Sequence, residues 1–475
     1  MTKIQSIKNA DPIHYLEAST LAALISAKHL SSREVVRAYL DRTEAVNPKI
    51  NAVVTLMGEA ALKAADAADK AVASGAEIGP LHGVPFSIKD ALDTAGVLTQ
   101  CGSKLFAGNI PDKDATAVAR FKAAGGIPLM KTNVPEFSAW TETDNLVTGR
   151  TNNPWNLERT PGGSSGGESA AIAAGMSPIG IGSDVMISVR GPAAFTGIAA
   201  LKATHGRVPY TGHYPRVTSH WWHVGAMART VGDVALGYSI LKGPDGIDGY
   251  AIHSRHAEPG DGKIAGRPIR VGWVSDEAFR PVDPEITTAI VAAAAQLADR
   301  GCVVEQVTLP FLGNSFGTLS TLVYGEIVPS IKTLAAGREA DLHAVGAGIV
   351  GISDPSFTDF LAAHGQAEAL RSSFASFFQK YDVLLCPVNP MTATPHGALE
   401  LKVNGETVPW THVMSPTCPF NLTGLPALSV PYALSSEQLP INIQLISKWL
   451  DEATILRPGA LLERKGGIGD RHPSI

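Results

Sequence analysis

The sequence predicts an α/β protein in which a largely buried β-sheet is sandwiched between helices. Three observations carry this. Short apolar runs at 84–88, 127–130, 178–181, 269–273, 303–307, 383–386 and 441–446 look like strands covered on both faces. Helical stretches at 115–124, 168–174, 286–300 and 366–381 separate several of them. Hydrophobic residues make up 45% of the chain and charged residues 17%, which is ample material for one core.

The elements follow in order. Residues 1–20 hold no apolar core with a cleavage signal, and nowhere is there an apolar run long enough to span a bilayer. Ser31 with Glu34 makes a capping box before Val35, Val36, Tyr39 and Leu40, and a second, alanine-rich helix covers 59–73. The strand 84–88 delivers Lys89 at its end, and the strand 127–130 delivers Lys131. Residues 243–266 are rich in Gly, Asp and His and read as an exposed excursion within one domain; 466–475 read as a frayed tail. Four cysteines without a C-x-x-C pair argue against a disulfide scaffold or zinc cluster and fit a reducing cytoplasm. A formal charge of −5 is small for 475 residues and gives no reason to expect a nucleic-acid or membrane partner.

Three segments carry chemistry. In Thr160-Pro161-Gly162-Gly163-Ser164-Ser165-Gly166-Gly167-Glu168, four glycines flank two serines at the start of a small-residue helix. Glycines allow close backbone approach, and the helix N-terminus offers free N–H groups beside the hydroxyls. A flexible linker is the plain alternative, but linkers rarely interrupt dense α/β patterning. Gly163-x-Ser165-x-Gly167 also fits the G-x-S-x-G nucleophile elbow, which requires a preceding strand; residues 155–161 do not read as one. Lysines in apolar strands usually snorkel to the surface, whereas a buried one loses basicity and becomes a possible general base. Lys89 and Lys131 both qualify, and the residues alone do not choose. In Gly182-Ser183-Asp184-Val185-Met186-Ile187-Ser188-Val189-Arg190, Arg190 can pair with Asp184 and hold the turn.

Together these segments resemble the amidase signature family. Residues 149–156 resemble the family's stretch before its serine loop, and Phe420-Asn421-Leu422-Thr423-Gly424-Leu425-Pro426 its C-terminal motif. The resemblance spans nearly the whole chain, most strongly 80–210. It implies one domain of that type with a mixed sheet: N-terminal helices over 1–75, a signature core over about 80–210, a C-terminal part over 211–465 and the tail. It also implies a Ser–Ser–Lys triad. Ser188 would be the nucleophile, Ser164 the bridging serine after a cis peptide at Gly163, and Lys89 the base. Backbone N–H groups of Val185, Met186, Ile187 and Ser188 would bind the oxyanion, with Asp184, Arg190, Gly163 and Ser165 in support. No metal or organic cofactor is implied. Three features depart from the family: Met186 and Ile187 replace the usual glycines, Ala91 replaces a usual asparagine, and Gln438 and Asn442 stand where glycines are common.

The substrate expectation is a small neutral molecule. Met186, Ile187, Trp221, Trp222 and Tyr210 suggest an apolar pocket, although one of the adjacent tryptophans can instead be core. Apolar or aryl amides fit, and so do carbamates, since some members of the family are urethanases. Two alternatives stand beside this reading. One is the catalytic component of a glutamine-dependent tRNA amidotransferase, which would need a partner chain together with a site for a charged amino acid. The other is a non-catalytic scaffold, motivated by Met186-Ile187.

Overall fold

The computed structural model describes residues 12–216, 221–253, 267–275, 278–463, 468 and 471–475. Its strands are β1 (Val53–Leu56), β2 (Pro85–Lys89), β3 (Ile127–Thr132), β4 (Ile179–Asp184), β5 (Ala199–Lys202), β6 (His223–Ala228), β7 (Arg270–Trp273), β8 (Val303–Gln306), β9 (Val383–Pro387), β10 (Glu400–Val403), β11 (Glu406–Pro409), β12 (Ala427–Leu434) and β13 (Pro440–Ser447). Eleven of them form one sheet in the order β1-β3-β2-β4-β6-β5-β12-β13-β9-β7-β8, and β10 with β11 makes a separate hairpin. The sheet is mixed. β3, β2 and β4 run parallel, as do β9, β7 and β8, while β4-β6-β5-β12-β13-β9 alternates antiparallel. Every residue of β2, β4, β5, β6, β9 and β13 is buried. Both faces are therefore covered, which is what continuous apolar runs demand.

Helices supply the cover. Gly166–Ala173 packs on β4 and β2, Val231–Leu241 on β6, Pro284–Asp299 on β9, Ala453–Glu463 on β12, and Arg190–Thr196 on β5, β12 and β13. Helix Ser32–Ile50 opens on the expected capping box: Ser31 accepts from the Glu34 N–H at 3.0 Å, and Glu34 accepts from the Ser31 N–H at 2.7 Å. Helix Ser315–Ala335 packs on helix Phe357–Lys380 and contributes a wall of the candidate site. Close packing explains the small residues of β4. A Cβ at Gly180 would run into Glu168 Oε1 and Ser87 Oγ.

Each expected strand forms, with bounds within a residue or two of those expected except that β4 runs three residues further, to Asp184. Four strands of the main sheet were not expected: β1, β5, β6 and β12. The tail reading is corrected. Of 466–475, residues 468 and 471–475 are described, and among these Ile468 is buried and the His472 ring stacks on Tyr15 at 3.7 Å, so they pack rather than fray. Of 243–266, residues 243–253 are described. They are partly exposed but tied down, because Asp245 accepts from Thr116 Oγ1 at 2.6 Å and Thr211 Oγ1 at 2.7 Å. Residues 254–266, and residues 1–11 of the N-terminal reading, lie outside the described residues.

Candidate active site

The parallel pairing of β2 with β3 separates the two candidate lysines. Ile88 pairs with Lys131 and Lys89 with Thr132. Paired residues share a face and successive residues alternate, so Lys89 and Lys131 point to opposite faces. Both are fully buried. Lys131 Nζ binds the Leu92 carbonyl at 2.8 Å, Thr99 Oγ1 at 2.6 Å and Asp90 Oδ1 at 3.3 Å, away from the glycine-rich loop. Lys89 Nζ lies 2.7 Å from Ser164 Oγ, 2.9 Å from Ser183 Oγ and 3.3 Å from the Ser183 carbonyl. Burial brings Lys89 down to about 7, although Asp184 and Glu168 pull the other way. A neutral amine bonded to a buried hydroxyl can take its proton.

Ser164 follows a cis peptide bond from Gly163. Gly163 has no room for a side chain: a Cβ would sit 2.5 Å from the Trp140 carbonyl oxygen and 2.7 Å from that of Glu142. Ser165 takes no part in an elbow. No strand precedes it, its Oγ donates to the Ser183 carbonyl at 3.3 Å, and its N–H donates to the Ser188 carbonyl at 3.2 Å. That last bond ties the serine loop to the turn bearing Ser188.

The turn 184–190 is held by one buried ion pair. Arg190 donates to both oxygens of Asp184, from Nε and Nη2 at 3.0 Å each. The Val189 N–H adds a bond at 3.1 Å, and Asn421 Nδ2 another at 2.9 Å. Burial opposes ionisation of Asp184, but Arg190, Asn421 and the Val189 N–H more than offset it and hold the carboxyl at about 2. Arg190 reaches further, to Gln444 Oε1 at 2.9 Å, the Thr417 carbonyl at 3.2 Å and Asn421 Oδ1. Among the described residues, the N–H groups of Met186, Ile187 and Ser188 have no backbone acceptor. The turn therefore presents free donors beside the Ser188 hydroxyl.

Ser188 lines a narrow cavity of about 40 Å³ with Val185, Met186, Ile187, Trp222, Tyr324 and Trp410 among its walls. None of the described lining residues carries a charge. The Ser138 hydroxyl and the Trp222 indole N–H in this wall are buried without a partner among the described residues. The pocket expectation needs two corrections. Trp221 is core, fully buried with Nε1 donating to Glu326 at 3.1 Å. Tyr210 lines a different cavity, of about 240 Å³, behind Trp222. No hydrogen bond joins the Ser164 and Ser188 hydroxyls among the described residues.

Several residues were not singled out from sequence. Glu168 is buried against Lys89, accepts from Ser87 Oγ and, at 2.6 Å, from Thr132 Oγ1, and is pushed up to about 7 by burial. Ser183 joins Lys89 to His213, whose Nε2 lies 2.8 Å from Ser183 Oγ. Gln444 had a visible signal, as a glutamine inside an apolar strand. Ser183 and His213 had none, because their role depends on where the loop 203–216 folds back. Among the described residues, no group of three His, Cys, Asp or Glu side chains is placed to hold a metal ion, and no helix is long and apolar enough to cross a membrane.

A family model described as amidase matches residues 34–456. The chain is 35% identical to one of the subunits of the glutamyl-tRNA(Gln) amidotransferase of Acidothermus cellulolyticus, over 94% of this chain and 93% of the relative. It is 32% identical to an acylamidase of Rhodococcus erythropolis, over 97% and 98%. A solved bacterial aryl acylamidase of the amidase signature family superimposes with a TM-score of 0.88 at 26% identity, covering 96% of this chain and 97% of that one.

Proposed function

The chain belongs to the amidase signature family of hydrolases, and from that premise we propose that it cleaves neutral, apolar or aryl amides and carbamates through Lys89, Ser164 and Ser188. The observation that carries the reading is the 2.7 Å contact between a fully buried lysine and Ser164, next to a serine turn that opens on an uncharged cavity. Neutral Lys89 takes the Ser164 proton, and Ser164 takes that of Ser188 as Ser188 attacks the carbonyl. The link between the two serine hydroxyls closes when substrate is bound. The free N–H groups of Met186, Ile187 and Ser188, with that of Val185, receive the developing oxyanion. Ser164 then protonates the departing nitrogen and is reprotonated by Lys89; water next gives its proton through Ser164 to Lys89 as it attacks the acyl or carbamoyl carbon, and the proton returns through Ser164 to Ser188 as that group leaves.

The cavity supports the substrate class. Its walls are mostly apolar, so a neutral molecule enters without leaving a charge unpaired. In such a cavity the N–H of the scissile amide needs an acceptor, and the unpartnered Ser138 hydroxyl offers one. Similarity to amidotransferase chains favours a second reading, as the glutaminase half of such a complex. Free glutamine, however, carries an ammonium and a carboxylate, for which the described cavity walls offer no opposite charge. The test is to assay the purified chain alone on matched aryl amides, carbamates and esters and on glutamine. Turnover of apolar amides or carbamates without a partner is expected. Turnover of glutamine alone, and only with partner chains added, would overturn the reading.

A further inference from the structure

A base must face its proton donor with a lone pair. Neutral Lys89 has two N–H bonds and one lone pair, and three neighbours: Ser164 Oγ, Ser183 Oγ and the Ser183 carbonyl. The carbonyl can only accept, so it takes one N–H. Of the two hydroxyls, one must take the other N–H and the other must donate to the lone pair. If Ser183 donates, the lone pair is spent on it and Ser164 can only accept from Lys89.

His213 makes the choice. It is buried, with Nδ1 3.3 Å from the Pro215 carbonyl and Nε2 2.8 Å from Ser183 Oγ. The Pro215 carbonyl is an acceptor only, so Nδ1 carries the hydrogen and Nε2 is bare. Ser183 must then donate its O–H to Nε2 and turn its oxygen lone pairs toward Lys89. We propose that His213 is a positioning residue that fixes the direction of this hydrogen-bond chain, leaving Ser164 as the one hydroxyl able to donate to Lys89. The proposal rests on the reading of Lys89 as the base. Burial, and then the Lys89 charge, bring His213 down to about 3, so its ring stays neutral at any pH where the base is neutral.

His213 also packs 4.9 Å from Trp222 and 5.4 Å from Tyr210, ring centre to ring centre. A purely structural role is therefore the competing account, and the experiment separates the two. His213→Leu, Ser183→Ala and the double variant are compared with the native chain on one amide, with kcat and KM measured separately and Lys89→Ala assayed alongside. His213→Leu frees the Ser183 hydroxyl to occupy the lone pair, and is expected to lower kcat by about 10²-fold with KM unchanged. Ser183→Ala removes only one acceptor and is expected to be milder. The double variant has no competing hydroxyl and is expected to recover to the Ser183→Ala level. A double variant as poor as His213→Leu, or a loss appearing in KM alone, would overturn the proposal. Should His213→Leu not fold, His213→Gln supplies an amide oxygen that can accept from Ser183; its retention of most of kcat supports the proposal, and a full loss in a folded protein overturns it. Activity surviving in Lys89→Ala would instead sink the reading of the base.

Discussion

At the scale of single residues, the balance of costs at Lys89 gives a prediction with a definite sign. Its proton is held less tightly in the folded chain than in the unfolded one, because burial brings it down to about 7. The rate constant kcat/KM should therefore rise through about pH 7 and level off above it. The same difference acts on stability: the unfolded state binds more protons between about 7 and the ordinary lysine range, so this residue's contribution to stability rises with pH there. Lys89→Met is expected to abolish turnover while making the chain more resistant to urea at pH 7 than the native protein, with the gap narrowing toward pH 10. Lys131→Ala is expected to retain turnover, because its partners are Asp90, Thr99 and the Leu92 carbonyl. Loss of activity in Lys131→Ala with retention in Lys89→Met would reverse the assignment. Ser138 sits on a tightly folded turn, with positive φ at Phe137 and Ser138, pinned by Glu136 to Ser103 Oγ at 2.7 Å and to the His343 N–H at 2.9 Å. Non-glycine residues adopt that backbone only where the surroundings impose it. Ser138→Ala should lower kcat/KM on a secondary amide roughly tenfold, the worth of one hydrogen bond, and leave the matched ester unchanged. Equal losses on both would remove Ser138 from N–H recognition.

At the scale of elements, the turn 184–190 shows what side chains can change in a site made of backbone donors. Met186 and Ile187 line the cavity, and Ile187 covers Gly191 so closely that a Cβ there would strike it. Their backbone N–H groups do not depend on the side chains. The variant Met186→Gly/Ile187→Gly should therefore reorder kcat/KM between a small amide and a bulky aryl carbamate. A uniform gain of about 10² in kcat on both would show instead that the native turn is a damaged oxyanion site. The limits of the sequence reading also lie at this scale. Strands rich in apolar residues were legible because both faces are buried, as in β2, β9 and β13. β5 has four residues, β6 has Val224 as its one β-branched residue beside His, Gly, Ala and Met, and β12 contains Pro431, so none has the β-branched pattern of a strand. Helix Ser315–Ala335 escaped notice because Gly317, Gly325 and Pro329 interrupt its pattern. In the candidate site, the positions of Lys89, Ser164 and Ser188 were legible only through several motifs taken together. The bonds from Ser183 to His213 and from Arg190 to Gln444 join segments that local pattern cannot relate.

At the scale of the whole molecule, the cavity over Ser188 is closed by parts of the chain that lie far apart in sequence. Trp140 and Trp410 meet with ring centres 4.3 Å apart, and both also line a neighbouring chamber of about 580 Å³. Trp410→Ala removes the partition between the two spaces. Its expected effect is a higher kcat/KM for elongated aryl carbamates relative to small amides, read from competition between the two; an unchanged ratio would show that the chamber is not used. The sheet itself divides at the pairing of β5 with β12. On one side stand β1 to β6, all formed before residue 229; on the other stand β7, β8, β9, β12 and β13. Lys89, Ser164 and Ser188 belong to the first side. The groups that clamp Arg190 beneath the Ser188 turn belong to the second, at separations of 227, 231 and 254 residues. Loops of that length close late in folding, since their entropy must be overcome before the contacts form. A chain growing from its N-terminus at about 5–20 residues per second thus carries all three side chains of the proposed triad well before it carries what holds them in register. On the proposed roles, competence to hydrolyse arrives last in synthesis, so a nascent chain exposes no finished nucleophile to the amide-rich surroundings in which it is made.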